Sequence, residues 1–474
     1  MFFDFDKESD DKKDKNKPSD PFESIKQHFG DILGSAGSKF GLVFPGVGYA
    51  DQRHDGADAH EKEAENFAEK IKKFSMKPRE IRDFLDRFVI KQAEAKKVLA
   101  VAVCDHYNHV RRCMLSGDAT QSEYSKQNIL ILGPTGVGKT YLIKNIAKLI
   151  GVPFVKVDAT KFSETGYVGS DVDDMIRDLI KAADGNIKLA QYGIVFIDEI
   201  DKIATASDVA ARDVSGRGVQ INLLKLMEES DVSAYSQTDM ISQLRAAMSF
   251  ANGKKEQKQS INTKHILFIA SGAFDKLSDI VKSRIGAKSI GFNFKASADE
   301  QAETYEYLQK VSTADFIKYG FEPEFIGRLP VRVACEALNA DDLKNILTAA
   351  EGSILKQYAN DFGGYGIKFS ADDDALEAIA KLAAEEKTGA RGLLTILEKL
   401  LRDFKFELPS TRIKSMKVTR KMVESPEKAL VGLMGKGSTS KGTASAKKSP
   451  PTAPEKGEIF PKSKRNGFGS VKVV

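Results

Sequence analysis

The apolar run Asn128-Ile129-Leu130-Ile131-Leu132 breaks at Gly133-Pro134-Thr135-Gly136-Val137-Gly138-Lys139-Thr140 and gives way to a stretch of helical period. That order leaves few folds open, because a strand feeding a glycine-rich turn and then a helix gathers backbone N–H groups at the positive end of the helix. In such a loop the glycines let the backbone wrap phosphates and the Lys139 ammonium sits on the β/γ-phosphates. The Thr140 hydroxyl can ligate Mg²⁺. Motif and context together predict a P-loop that binds a nucleoside triphosphate.

The flanking sequence supplies a matching frame. From Lys77 to about Pro330, strand-like runs alternate with helical periods, which predicts an α/β fold with a parallel, doubly wound sheet. The strands are read at Ile129–Leu132, Phe154–Val157, Ile194–Ile197 and Ile266–Ala270, and Val172, Met175, Ile176, Leu179 and Ile180 mark one face of an intervening helix. After Pro330 the pattern becomes helical. Ala375, Leu376, Ile379, Leu382 and Ala383 form one stripe, and Leu393, Leu394, Leu397, Leu400, Leu401 and Phe404 another. The expected organisation is a polar, mostly flexible region over 1–75, a large ATPase domain over 76–330, a small helical domain over 331–425 and a disordered basic tail over 426–474.

Composition narrows the setting. Cys104, Cys113 and Cys335 show no C-x-x-C pairing, which argues against a zinc ribbon or a disulfide scaffold and fits a reducing, cytoplasmic environment. No apolar stretch approaches the roughly 20 residues needed to cross a bilayer. The net charge of +5 is concentrated toward the tail, whose lysines have no interleaved base-stacking aromatics, so no case for a nucleic-acid partner follows.

The second chemical signal is Gly193-Ile194-Val195-Phe196-Ile197-Asp198-Glu199, an apolar strand ending in two carboxylates. Asp198 is suited to hold Mg²⁺ and Glu199 to polarise an attacking water, so hydrolysis is expected in addition to binding. With no H-E-x-x-H motif and no recognisable nucleophile triad, peptide hydrolysis by the same chain is not expected.

Several further motifs occur in consistent order over about Lys77 to Ser425. They are the run Val89-Ile90-Lys91-Gln92 to Val103, Gly166-Tyr167-Val168-Gly169, Asp198-Glu199-Ile200-Asp201-Lys202, Arg212-Asp213-Val214-Ser215-Gly216, and Glu324-Phe325-Ile326-Gly327-Arg328-Leu329-Pro330. Together they resemble the ClpX family of AAA+ unfoldases. Ala159-Thr160-Lys161-Phe162 and His265–Phe274 look closer to the sister HslU family, but too few residues separate Gly169 from Asp198 for the large domain HslU inserts there.

The resemblance implies an ATP-dependent, homo-hexameric protein unfoldase that uses Mg²⁺ and threads protein substrates into a separate ClpP-like peptidase. It implies that Arg328 is an arginine finger reaching a neighbour's γ-phosphate and that Arg391 is the sensor-2 arginine of the small domain. Val89 and Ile90 would line the adenine pocket, Gly166, Tyr167, Val168 and Gly169 a substrate pore, and Ile290-Gly291-Phe292 would dock the peptidase.

The chain also departs from the family pattern. The N-terminal four-cysteine zinc domain and the basic Arg-Lys-His pore-entrance loop are missing. Lys91 stands where the family has glycine, and Arg217 where it has an acidic residue. A remodelling chaperone without a protease partner is the main competing expectation, and a nucleic-acid-associated AAA+ ATPase the more distant one.

Overall fold

The structure, a computed structural model, describes residues 68–116, 126–162, 170–204, 214–234, 260–288, 300–348 and 351–438. In chain order its strands begin with β1 (Ile129–Leu132), β2 (Phe154–Asp158) and β3 (Ile194–Asp198). A short antiparallel pair follows, β4 (Asp231–Ser233) with β5 (Ser260–Asn262), and then β6 (Leu267–Gly272) and β7 (Val331–Ala334). Strands β1, β2, β3, β6 and β7 form one parallel sheet in the order β2-β3-β6-β1-β7.

The three inner strands are apolar along nearly their whole length because helices cover both faces, as a parallel sheet requires. Alternation then sends neighbouring residues into different layers. Ile129, Ile131, Ile194, Phe196, Leu267 and Ile269 pack on one side, with helices α1 (Pro78–Asp86), α2 (Ala93–Ser116) and α3 (Lys139–Ile150). Leu130, Leu132, Val195, Ile197, Phe268 and Ala270 pack on the other. That side carries α4 (Asp174–Ala182), α5 (Val214–Met227), α6 (Leu277–Lys288), α7 (Glu300–Gln309), α8 (Thr313–Tyr319) and α9 (Pro323–Gly327).

The small domain contains α10 (Ala340–Thr348), α11 (Ile354–Gly364), β8 (Lys368–Ala371), α12 (Asp373–Glu385), α13 (Ala390–Glu407), β9 (Ser415–Val418), α14 (Arg420–Glu424) and α15 (Pro426–Ser438). Strands β8 and β9 form a two-stranded parallel ribbon, and the domain's core is continuous with the α1–α3 face of the sheet.

Five features differ from the sequence expectation. Strand β7 lies past Pro330 yet pairs with β1, Ile129 facing Val331, so the sheet continues beyond the boundary placed there. Ile71 and Phe74, within the region expected to be flexible, are buried in the core, and α15 runs past residue 425. Leu382 is exposed and Ala380 takes its place in the buried stripe of α12. Leu394 of α13 also leaves the core, being 48% exposed.

Candidate functional site

A cleft of about 530 Å³ runs between the two domains. Its phosphate end is the loop from β1 to α3. Gly133 and Gly136 have φ of +137° and +78°, and both are pressed by backbone: a Cβ at Gly133 would stand 2.7 Å from the Cys335 carbonyl oxygen, and one at Gly136 would collide with that of Thr388. A residue with a side chain fits neither position. The loop thereby touches the small domain directly, Ala390 N donating to Gly136 O at 2.9 Å.

Lys139, the first residue of α3, is buried, and its ammonium donates to the carbonyls of Gly133 at 2.5 Å and Pro134 at 2.9 Å. Burial lowers its pKa, against the opposing pull of Cys335, Asp198 and Asp201. Thr140 follows, its hydroxyl 3.5 Å from Asp198 Oδ2.

Asp198 ends β3 and is held from several sides. Ser271 Oγ of β6 donates to Oδ1 at 2.7 Å, Glu199 N to the same oxygen at 3.1 Å, and Lys156 Nζ of β2 pairs with Oδ2 at 2.8 Å. Burial pushes this carboxyl up, but the hydrogen bonds from Lys156 and Ser271 and the Lys156 charge outweigh it, so its pKa lies below the ordinary value and the group is ionised at neutral pH. Glu199 has φ of +55° and is exposed, in a region that residues with side chains visit at a cost, and it faces the cleft. Asp201 is buried at the same end, accepting from Ala273 N at 3.2 Å, and Lys202 Nζ stands 3.2 Å from its other oxygen without hydrogen-bond alignment.

Apolar side chains complete the lining: Phe88, Val89 and Ile90, of which Val89 lies beside Gly138 of the P-loop, together with Leu338, Ile346 and Ile354. The small domain adds Ala390, Arg391 and Leu394 from the first turn of α13, which explains why Leu394 is absent from the core. Arg391 therefore lines the same cleft as the P-loop, and its charge acts on that of Lys139. Near the N-terminus of α13 its charge opposes the helix dipole, a conflict that a bound phosphate removes.

Family comparisons agree with this geometry. Residues 124–332 match the model of the AAA domain (Cdc48 subfamily), and residues 338–414 that of the C-terminal D2-small domain of ClpB protein. The "ATP-dependent Clp protease ATP-binding subunit ClpX" of Treponema denticola is 42% identical over 352 residues, 73% of this chain and 81% of that protein. The protein of the same description from Porphyromonas gingivalis is 40% identical over 353 residues, 73% of this chain and 82% of that protein.

The chain belongs to the ClpX family of AAA+ ATPases.

Of the residues expected from sequence to serve this ClpX-type site, Val89, Ile90, Thr135, Gly136, Val137, Gly138, Lys139, Thr140, Asp198, Glu199 and Arg391 line one cleft. Gly133 and Pro134 contribute the carbonyls that receive Lys139. Arg328 is not among the cleft residues: it caps α9, is half-exposed, and pairs with Glu228 at 2.6 Å. The buried Gln220 of α5 links the two places, donating to Ile203 O beyond β3 at 2.9 Å and accepting from Glu322 N before α9 at 2.9 Å. Arg217 pairs with Glu322 at 3.0 Å within the chain. The pore residues Gly166–Gly169 and the docking residues Ile290, Gly291 and Phe292 lie outside the described residues.

Lys156, Ser271, Asp201 and the small-domain residues Glu351 to Gln357 went unassigned from sequence. In the sequence Asp201 stands within the motif Asp198–Lys202 and Ser271 within His265–Phe274 without a role of its own, and Lys156 shows as a charge interrupting the β2 pattern Phe154-Val155-Lys156-Val157.

Proposed function

We propose that this ATPase unfolds and translocates proteins as a Mg²⁺-dependent, cytoplasmic homo-hexamer that passes them to a separate ClpP-like peptidase. The observation that carries the hexameric reading is the position of Arg328. Everything else expected of a hydrolytic site converges on one cleft, whereas this arginine is presented on the surface beyond α9, available to a neighbouring copy. A cation brought in this way stabilises charge that develops in the transition state.

Within the cleft, backbone N–H groups at the start of α3 and the Lys139 charge orient the triphosphate. The Thr140 hydroxyl and the ionised Asp198 carboxylate form a hard-oxygen pair suited to a divalent cation. Bound there, Mg²⁺ would neutralise charge on the β/γ-phosphates. Glu199 orients the attacking water, and Arg391 carries the state of the γ-phosphate to the small domain. Tyr167 and Val168 grip the client, the aromatic ring giving broad apolar contact at low entropic cost, and rotation between domains moves them along the pore. The tripeptide Ile290-Gly291-Phe292 docks the peptidase, each loop weakly and several together tightly.

The relatives' description as subunits of a Clp protease supports the peptidase partner over a free-standing chaperone. The deciding experiment is capture with Glu199→Gln, which should accumulate ATP-bound rings holding both clients and a peptidase. Rings that retain clients but never a peptidase would favour the chaperone. A protein that stays monomeric with ATP and Mg²⁺ would remove the ring, and with it the role of Arg328.

A further inference from the structure

The strap Arg87–Gln92, which leaves α1, turns its residues to two different tasks. Val89 and Ile90 line the apolar end of the cleft, whereas Lys91 and Gln92 engage the linker that joins β7 to α10. Lys91 Nζ donates to Ala337 O at 2.9 Å and to Asp342 Oδ2 at 3.0 Å, and lies 3.7 Å from Glu336 Oε2. The Gln92 side chain is buried and pairs reciprocally with the backbone of one residue: its Nε2 donates to Glu336 O and its Oε1 accepts from Glu336 N, both at 2.8 Å.

Lys91 and Gln92 each have φ of +61°. Consecutive side-chain-bearing residues hold the left-handed conformation only where surrounding contacts over-determine it. Both of these are tied to the same interdomain linker. The ion pair is also shielded, with side-chain exposures of 26% for Lys91 and 16% for Asp342, unlike the freely solvated pairs that contribute little. At the start of the strap, the Arg87 guanidinium grips Glu351 through three contacts of 2.6 to 2.9 Å, and Glu351 N donates to Arg87 O.

We propose that Lys91 is a positioning residue for nucleotide binding: it fastens the strap to the interdomain linker and so sets the angle between the domains at which the base end of the cleft is formed. This rests on reading the cleft as the nucleotide site. The ammonium has two hydrogen-bond acceptors, Ala337 O on the linker and Asp342 in the first turn of α10, with Glu336 a longer ion-pair partner on the linker, and it acts on the nucleotide only through Val89 and Ile90 beside it in the chain. Without the fastening the small domain samples wider angles, and affinity falls in proportion to the fraction of molecules that present the closed cleft.

The test uses the full chain with Lys91→Met, which keeps the aliphatic stem, Lys91→Gly, which suits the backbone but loses the fastening, and Lys91→Arg, which keeps the charge. Spin labels at Lys148→Cys on α3 and Lys381→Cys on α12, in a Cys113→Ser background, report the interdomain distance without nucleotide. Fluorescent ADP reports affinity. A narrow distance distribution is expected for the parent and Lys91→Arg, and a broadened one for Lys91→Met and Lys91→Gly, whose ADP affinity drops by about tenfold. The proposal is overturned if Lys91→Met superposes on the parent, or if Lys91→Arg broadens as much as Lys91→Met. Loss of ADP binding by the parent would instead refute the nucleotide reading, while the nucleotide-free distances still decide whether Lys91 fastens the domains.

Discussion

The two ends of the cleft are built by different means. At the P-loop end, short turns leave the tips of buried parallel strands, and the polar groups are crosslinked between adjacent strands: Asp198 is held by Ser271 of β6 and Lys156 of β2. At the base end, residues far apart in the chain meet: 88–90 are tied to the segment holding Leu338, Ile346 and 351–354 by charged pairs at the domain junction, while 390–394 come in with α13, whose Ala390 N donates to Gly136 O. The sheet gives the first end a rigid geometry suited to chemistry. The second depends on how the domains close, which suits affinity and mechanical coupling.

If that contrast is correct, Asp198→Asn should have the largest effect, lowering ATP turnover by roughly 10²-fold or more, a magnitude typical of losing one electrostatic stabiliser. Its affinity for ADP without Mg²⁺ should change little, and phosphate release alongside ADP titration checks both. Turnover within a few-fold of the parent would mean that the phosphate end has been misread. Next, Arg87→Ala releases Glu351 and should raise the KM for ATP by about tenfold, with kcat falling less. Steady-state kinetics would blur the contrast if kcat carried the whole loss.

Gly136→Val tests a place where the P-loop meets the small domain, because the added side chain collides with Thr388 in a left-handed backbone position. We expect a loss of about 1–3 kcal/mol in stability by chemical denaturation. An unchanged midpoint would show that the P-loop and α13 are not packed as described.

The smallest effect concerns the back of the phosphate end. Burial pushes the Cys104 and Cys335 thiols up to about 12, so both remain protonated at pH 8. Cys113, at an intermediate exposure, should be the thiol that alkylates first in the native protein, with all three reacting in denaturant. Mass spectrometry showing early modification of Cys335, which lies against Gly133, would mean that this end is open from behind.

The same contrast explains what could be read in advance. Strands β1, β3 and β6 were legible because burial on both faces leaves an unbroken apolar run, and the P-loop because its chemistry is contained in consecutive residues. Strand β7 escaped notice: Val331-Arg332-Val333-Ala334 is short, half-covered at the sheet edge and broken by a charge, and it follows a proline that looked like a boundary. Leu394 and Leu382 fitted a helical stripe by spacing, yet the first faces the cleft and the second solvent, since periodicity selects a face without saying what covers it. Lys91 stood out only as a departure from the family pattern, and its acceptors lie about 250 residues away along the chain, where no local pattern reaches.

Local order in the chain was sufficient to determine the parallel sheet, the phosphate loop and the paired carboxylates, because hydrogen-bonding and burial requirements act over a few residues. Only the tertiary structure decided that Lys156 and Ser271 hold Asp198, that Arg328 stands apart from its own cleft, and that Arg87 and Lys91 bind the two domains together. Those are meetings of side chains across the sheet and the domain junction, and their energies depend on distances that exist only once the chain has closed on itself.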